Sequence, residues 1–212
     1  MSKLILESLD KNRLAIFNKL GSFRNLGILG GGTALALQIG HRVSFDFDIF
    51  TYKQLDDSLW KKVKTVFGNG SVKTLDTSTQ LNLITPENVA VTFFNDEYKN
   101  IFDPVSTNTI DLLNIKDIAA NKAYVIGRRP KWRDYVDLYF LLKDKHFSLR
   151  QLVGLAVKKF DNDFSEKLFL EQLVYWSDVQ DYTIDFIGKE ISDEEIKKFL
   201  IDTERELLKE IS

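Results

Sequence analysis

The chain has 212 residues, a formal net charge of −2, 44% hydrophobic and 28% charged residues, and no cysteine. This length and composition allow a large buried core and exclude long disordered tracts, while the lack of cysteine excludes disulfides, thiolate metal sites and cysteine nucleophiles. A nearly neutral charge excludes a nucleic-acid binder that is basic over its whole surface, so any such contact is local. Early charged residues and the lack of an apolar run of about 20 residues predict a cytosolic protein.

The chain begins with helix and strand patterns in alternation. Apolar spacing predicts an amphipathic helix from about Leu4 to Leu20, which Gly21 ends. The apolar run Leu26–Leu29 predicts a buried strand, and three glycines follow it. Residues 33–38 have strong helix propensity, and Thr33 suits the helix start. The order predicted here is a strand, a glycine turn and a helix.

Residues 43–50 alternate apolar and polar side chains without a slip, which is the two-residue period of a strand. Ser44, Asp46 and Asp48 are therefore predicted to share one face. The residues of the opposite face should be buried, namely Val43, Phe45, Phe47 and Ile49. Further along, the pattern predicts a helix over 55–67 and strands over 72–75, 81–85 and 89–94.

From residue 115 onward the pattern is helical. Helices are predicted near 115–127, 131–144, 148–160, 164–177 and 192–210. An α/β half followed by a helical half predicts an α+β fold. We place the boundary near residue 112, between a mixed-sheet core over 1–112 and a helical domain over 113–212.

Two features of the first half suggest phosphate and metal chemistry. Asp46 and Asp48 can bind one hard cation, since Mg²⁺ prefers one or two carboxylates with substrate phosphates and water. Gly31 and Gly32 precede a helix, where backbone N–H groups and the helix dipole favour phosphate. Each feature alone has an ordinary explanation, either a solvated acidic strand face or a plain tight turn. Together, about a dozen residues apart, they supply both parts of a metal–triphosphate site.

Four ordered motifs follow one another along the chain: Leu29–Leu37, Gly40–Asp48, Asp117–Ala123, and Arg133–Tyr139 together with Arg128. In this order they resemble the motifs of the AbiEii/AbiGii toxin family of nucleotidyltransferases. The resemblance runs from about residue 26 to 145. It implies a polymerase-β-like nucleotidyltransferase fold, transfer of a nucleotide from an NTP, and frequently a role as the toxin of a toxin–antitoxin or phage-defence pair.

The match to the family motifs implies roles for individual residues. Asp46 and Asp48 would hold Mg²⁺, Lys122 would neutralise phosphate charge, and Asp137 would be a later acid that acts as base or positioning group. The expected nucleotide-binding residues are Gly31, Gly32, Thr33, Arg42, Ser44 and Lys122. Among these, Arg42 also suits phosphate through its planar guanidinium.

Lys122 and Asp137 fall on consecutive predicted helices. A hairpin bent at Gly127–Pro130 could aim both side chains into one cleft, which the helical domain would complete. The plainer interpretations are a surface lysine for Lys122 and a helix-start acid near the positive dipole end for Asp134. Asp137 is therefore preferred to Asp134 as the catalytic residue.

A basic cluster between residues 116 and 133 is a candidate site for an RNA acceptor. Its basic residues are Lys116, Lys122, Arg128, Arg129, Lys131 and Arg133, with Asp117 as the acid among them. The cluster could equally serve the triphosphate or only solubility. Trp132 could stack on a base, but its helical spacing with Tyr135 and Leu138 favours the core. The 3′ end of tRNA or another RNA is the leading acceptor, and a cognate antitoxin is a further expected partner.

The chain departs from the polymerase-β-like pattern in one respect. Many such enzymes carry a third carboxylate on a later strand, but the strand over 89–94 has Thr92 facing one side and no acid before Asp96. One metal with Lys122 is a simpler expectation than a two-metal site with three aspartates. The same departure leaves open a non-catalytic nucleotide-binding or partner-docking module on the same fold.

Overall fold

The computed structural model describes residues 4–126 and 128–211, and the chain divides into two compact units, Met1–Asn114 and Ile115–Ser212. The described part of the first unit contains a five-stranded sheet with helices, and that of the second unit is helical. This is the α+β organisation that the sequence predicts. The structural division falls after residue 114, whereas the sequence-based boundary is at residue 112.

The strands of the first unit form a mixed sheet with the order β1-β2-β5-β4-β3. Their bounds are β1 Gly27–Gly30, β2 Asp46–Thr51, β3 Val72–Asp76, β4 Gln80–Ile84 and β5 Ala90–Phe94. β2 and β5 run parallel, and the other neighbouring pairs are antiparallel. The insertion of β5 between β2 and β4 places two residues that are far apart in sequence, Asp48 and Thr92, side by side.

Helices of the first unit cover one face of this sheet. They are α1 Lys11–Lys19, α2 Gly31–Ile39 and α3 Asp57–Phe67, with short 3₁₀ turns at Leu6–Ser8 and Leu20–Phe23. Phe23 packs on Phe67 and on Phe93 of β5, with ring centroids 5.3 and 5.0 Å apart, and Phe47 of β2 is fully buried. Because apolar residues occupy this face, the side chains of Asp46 and Asp48 emerge on the other face, where they are half-buried.

Two sequence-based expectations in the first unit are wrong. The single helix over residues 4–20 is broken, because Asp10 caps a new helix by accepting a hydrogen bond from the backbone N–H of Arg13 at 2.9 Å. Phe45 is not buried but 40% exposed, and Val43 is only half-buried, because β2 begins only at Asp46. The guanidinium of Arg13 lies 4.8 Å from the Phe45 ring centroid and covers part of the ring.

The second unit contains the helices predicted from the apolar period. Their bounds are α4 Ile115–Val125, α5 Trp132–Lys143, α6 Leu149–Phe160, α7 Glu166–Leu173 and α8 Asp193–Ile211. A Ser148–Gln151 capping box starts α6, and Ser165 caps α7. Trp132 is 1% exposed and belongs to the core, as its helical spacing predicts. Within residues 4–126 and 128–211, no helix has the length and apolar character needed to cross a membrane.

Candidate active site

The turn from β1 into α2 leaves the start of α2 without side chains. Gly31 has φ +66°, a left-handed conformation that L residues rarely adopt. A Cβ atom at Gly31 would overlap Oδ2 of Asp48, and one at Gly32 would overlap the terminal guanidinium nitrogen of Arg42. The first N–H groups of a helix have no partner within the helix. Both glycines therefore let a carboxylate and a guanidinium approach the backbone at the N-terminal end of α2.

The strand register explains why Asp48 reaches this turn. Gly30, the last residue of β1, is the antiparallel partner of Asp48 on β2. Asp46 is two residues earlier on the same strand, and the buried Phe47 and Ile49 alternate with the two acids. Asp46 and Asp48 therefore share a face, as predicted, and lie next to the start of α2.

Thr33 and Ser44 fasten the beginning of β2 to α2. Both side chains are buried, and their hydroxyl oxygens are hydrogen-bonded at 2.7 Å. Thr33 also donates its hydroxyl to the backbone carbonyl of Asp46. These contacts fix the backbone that carries the first carboxylate, so the two hydroxyls position Asp46 within the first unit.

Arg42 is the buried cation of this arrangement, with 2% exposure. Its Nη1 donates to the backbone carbonyl of Val43 at 3.0 Å, and its Nη2 lies against Gly32. The nucleotide-binding residues predicted in the first unit are thus brought together around one turn. They are Gly31, Gly32, Thr33, Arg42 and Ser44.

A polar row continues from Asp48 across the sheet. Thr92 of β5 is the register partner of Asp48, and Asn82 of β4 is the partner of Thr92. Gln80 donates from Nε2 to Oδ1 of Asn82 at 2.9 Å. Thr92 therefore stands beside Asp48, on the later strand where the polymerase-β-like pattern expects a third carboxylate. In the described parts of the chain, no group of three or more His, Cys, Asp or Glu residues is arranged to hold a metal ion.

In the second unit, Lys122 of α4 meets both acids of α5. Its Nζ lies 2.6 Å from Oδ1 of Asp134 and 2.5 Å from Oδ2 of Asp137, and the lysine is only 5% exposed. Arg129 binds Asp134 with two nitrogens, at 2.8 and 3.1 Å. Sequence analysis predicts that Lys122 and Asp137 face the same cleft, and the structure places the two side chains in contact. Asp134 belongs to the same cluster. Gly127, at the predicted bend between the helices, lies outside the described residues.

The electrostatics of Asp134 follow from this cluster. Burial raises the pKa of its carboxyl, while the charges and the hydrogen bonds of Lys122 and Arg129 together lower it by more, so that the pKa lies below its ordinary value. Sequence reasoning assigned Asp134 to the helix dipole and missed these partners. A signal was present, because residues three apart on a helix share a face and Asp134 and Asp137 can therefore reach the same cation.

A second buried ion pair joins α4 to α6. Nζ of Lys159 lies 2.9 Å from Oδ1 of Asp117, and both side chains are fully buried. Sequence analysis did not anticipate this pair, because the partners are 42 residues apart. Among the described residues of the helical unit, Lys122 and Lys159 thus both have buried carboxylate partners.

The structure corrects the predicted basic cluster over 116–133. Lys122 is buried with Asp134 and Asp137, and Arg129 is engaged with Asp134. Arg128 lies 3.8 Å from the ring centroid of Tyr124 and donates to the backbone carbonyl of Asp163 at 3.2 Å. The six residues are therefore not one basic surface, because acids from later in the chain neutralise part of the charge.

Residues 14–209 match the family model described as "Nucleotidyl transferase AbiEii toxin, Type IV TA system". The chain belongs to the AbiEii family. It is therefore a nucleotidyltransferase of a toxin family, as the four sequence motifs predict. A relative in Aquifex aeolicus (strain VF5), uncharacterized protein aq_aa25, is 31% identical over 156 residues, which cover 72% of this chain and 75% of that protein.

Solved structures share the fold of this AbiEii-family chain. JHP933 from Helicobacter pylori is 18% identical with a TM-score of 0.55, and the match covers 98% of this chain and 96% of that one. MenT4, the nucleotidyltransferase toxin Rv2826c from Mycobacterium tuberculosis H37Rv, is 16% identical with a TM-score of 0.59, over 92% of this chain and 82% of that one. These likenesses confirm the predicted α+β nucleotidyltransferase fold.

Proposed function

We propose that this AbiEii-family protein is a Mg²⁺-dependent enzyme that transfers a nucleotide from an NTP to the 3′ end of tRNA or another RNA. It would act in the cytoplasm as the toxin of a toxin–antitoxin or phage-defence pair, with a cognate antitoxin as partner. The observation that supports the proposal best is the position of Asp46 and Asp48. Two carboxylates of one strand lie beside a helix start whose first residues, Gly31 and Gly32, carry no side chain that would obstruct a phosphate.

The donor atoms of the first unit suit a hard cation. Asp46 and Asp48 offer carboxylate oxygens on a half-buried face, and Mg²⁺ takes one or two carboxylates with phosphate and water as its other ligands. These two residues would hold Mg²⁺, which would neutralise negative charge on the triphosphate and on the leaving pyrophosphate.

The other residues of the turn would position the nucleotide. The first N–H groups of α2 would donate to phosphate oxygens, and the guanidinium of Arg42 beside Gly32 would add positive charge at the same place. Thr33 and Ser44 would keep the Asp46 backbone fixed through their hydrogen bonds. In the reaction, the acceptor hydroxyl oxygen bonds to the α-phosphorus, the bond to the β-phosphate oxygen breaks, and the hydroxyl proton passes to a base.

For Lys122 and Asp137 we propose the roles that the family motifs imply. Lys122 would neutralise phosphate charge, and Asp137 would act as a base or position the reacting groups. The contact of 2.5 Å between them is compatible with these roles and equally with a purely structural ion pair. A comparison with Lys159, described in the Discussion, separates the two explanations.

Incubation with each α-³²P-labelled NTP, Mg²⁺, total tRNA and cell lysate tests the proposed function. The wild type should give a labelled RNA band that disappears with EDTA and falls at least about 1,000-fold in Asp46→Ala, since metal and charge neutralisation supply most of the catalysis. Asp57→Ala, which removes an exposed acid of the same unit, is the matched control and should leave the band unchanged. Normal transfer by a folded Asp46→Ala protein would contradict the proposal.

The alternative function is a non-catalytic nucleotide-binding or partner-docking module. The observation in its favour is Thr92, which stands beside Asp48 where many enzymes of this fold carry a carboxylate. The same labelled nucleotides distinguish the two functions. Tight NTP binding without product, across RNA, protein and small-molecule acceptors, would favour the module.

A further inference from the structure

A basic patch with a tryptophan lies on the first unit, at the edge of the sheet farthest from the glycine turn. We define the Trp60 patch as Trp60, Lys61 and Lys64 of α3 together with Lys73 of β3. The three lysines are exposed, and Trp60 is half-buried. This patch lies outside the basic cluster that the sequence suggested for RNA.

Trp60 does not belong to the core-facing stripe of α3. The buried residues of that helix are Leu59, Val63 and Phe67, at the spacing of one helix face. Trp60 is one position off this stripe, and two lysines from different elements flank its ring. Nζ of Lys64 is 5.5 Å and Nζ of Lys73 is 4.8 Å from the ring centroid. The fold therefore assembles an aromatic ring and cations from two elements at the surface.

The charge of this region contrasts with that of the whole chain. α3 carries Lys61, Lys62 and Lys64 against Asp57, a net charge of +2, while the chain as a whole has −2. On β3, Lys73 forms an ion pair with the exposed Asp76. Exposed ion pairs contribute little stability, so a phosphate can compete for Lys73.

β3 gives the patch an open backbone edge. It is the last strand of the described sheet, and all five of its residues are exposed. Lysine on an edge strand discourages pairing with another protein strand, which argues for a polyanionic partner rather than strand addition. β3 is three strand positions from β2, or about 14 Å across the sheet. Lys73 aligns with Leu83, Val91 and Phe47 on the helix-covered face. Asp48 lies on the other face, so an extended strand bound at the patch would have to pass around an edge of the sheet to reach Asp48.

We infer that the Trp60 patch binds a single-stranded segment of the RNA acceptor, with Trp60 stacking on a base and the three lysines contacting phosphates. Aromatic stacking combined with lysine is how proteins hold single strands without sequence preference. The inference rests on the proposed transfer to RNA. It goes further because it names the surface that holds the acceptor.

The test measures binding of the full-length protein to a fluorescein-labelled 12-nucleotide RNA by fluorescence anisotropy, between 50 and 200 mM KCl. The triple variant Lys61→Gln, Lys64→Gln, Lys73→Gln should weaken binding at least about tenfold and reduce the slope of log K against log salt by about 2, at about 0.7 per phosphate contact. Trp60→Leu should weaken binding by about 5-fold or more and leave the salt slope unchanged.

The control variant carries the same charge change on exposed lysines of the helical unit, Lys189→Gln, Lys198→Gln and Lys209→Gln. It should bind like the wild type. Wild-type affinity and salt slope in the Trp60 patch variants would overturn the inference, as would a loss that the control variant shares. Labelling of RNA in the transfer assay is measured in parallel. If the Trp60 patch variants label RNA normally, the proposed function stands. If only a protein or a small molecule is labelled, the proposal that RNA is the acceptor is wrong.

Discussion

Gly31→Ala is expected to lower nucleotide transfer by about 100-fold while the protein remains folded. A Cβ atom at residue 31 would overlap Oδ2 of Asp48, the far end of a flexible side chain that can move aside. The movement displaces a carboxylate proposed to bind the metal, and a misplacement of about 1 Å costs about 100-fold in rate. The left-handed φ of +66° adds about 1–2 kcal/mol of destabilisation, which a domain of this size tolerates.

Gly154→Ala is the matched control for this substitution. Gly154 lies within α6, and a Cβ atom there would meet nothing within 4 Å. Alanine should stabilise the helix by about 0.5–1 kcal/mol and leave the transfer rate unchanged. The measurements are steady-state transfer and urea unfolding of both variants. A Gly31→Ala enzyme with full activity would show that the close approach of Asp48 to the turn has no catalytic role.

Lys122→Met is expected to lower the free energy of unfolding by about 3–5 kcal/mol and to reduce transfer by folded protein at least about 100-fold. The stability loss follows because the substitution leaves Asp134 and Asp137 buried without their shared cation. The further loss of activity follows only if the ammonium group also neutralises phosphate charge. Transfer is therefore expressed per folded molecule, with the folded fraction measured by circular dichroism.

Lys159→Met is the comparison that separates a catalytic role of Lys122 from a purely structural one. It removes a buried lysine of the same unit from a buried carboxylate, Asp117, and should cost a similar free energy of unfolding. Its transfer rate per folded molecule should match the wild type. Equal rates for Lys122→Met and Lys159→Met would mean that Lys122 acts only in the ion cluster.

The pH dependence of stability gives a second readout for Lys122. The lowered pKa of Asp134 stabilises the folded state above the ordinary carboxyl value of about 3.9, and this contribution disappears as the pH falls through the lowered pKa. The stability difference between the wild type and Lys122→Met should therefore be largest near neutral pH and shrink below about pH 4.

The strand that carries Asp46 and Asp48 was predictable because its sequence pattern is local. Large apolar residues alternate with Asp46 and Asp48, and a two-residue period sorts side chains onto opposite faces without knowledge of the neighbouring strands. Where β2 begins could not be read in this way. Phe45 continues the alternation, but its backbone carbonyl accepts a hydrogen bond from Arg13, more than thirty residues earlier, and the guanidinium of Arg13 covers part of its ring.

Contacts between distant elements were beyond the sequence pattern. Thr92 was recognised as a polar residue on a strand, but its place beside Asp48 depends on β5 entering the sheet between β2 and β4. The partners of Lys122 depend on how α4 and α5 face each other, which helix periodicity does not specify. The Trp60 patch likewise requires β3 to lie beside α3, so that Lys73 reaches Trp60.

Metal-dependent nucleotide binding by Asp46 and Asp48 is tested most directly by isothermal titration calorimetry with α,β-methylene NTP analogues, with and without Mg²⁺. Wild type should bind the analogue of its substrate at least about tenfold more tightly with Mg²⁺, since the carboxylates and the triphosphate share the cation. The double variant Asp46→Asn, Asp48→Asn should lose this Mg²⁺ dependence while retaining its fold. Equal Mg²⁺ dependence in the wild type and the double variant would contradict the assignment of these two carboxylates.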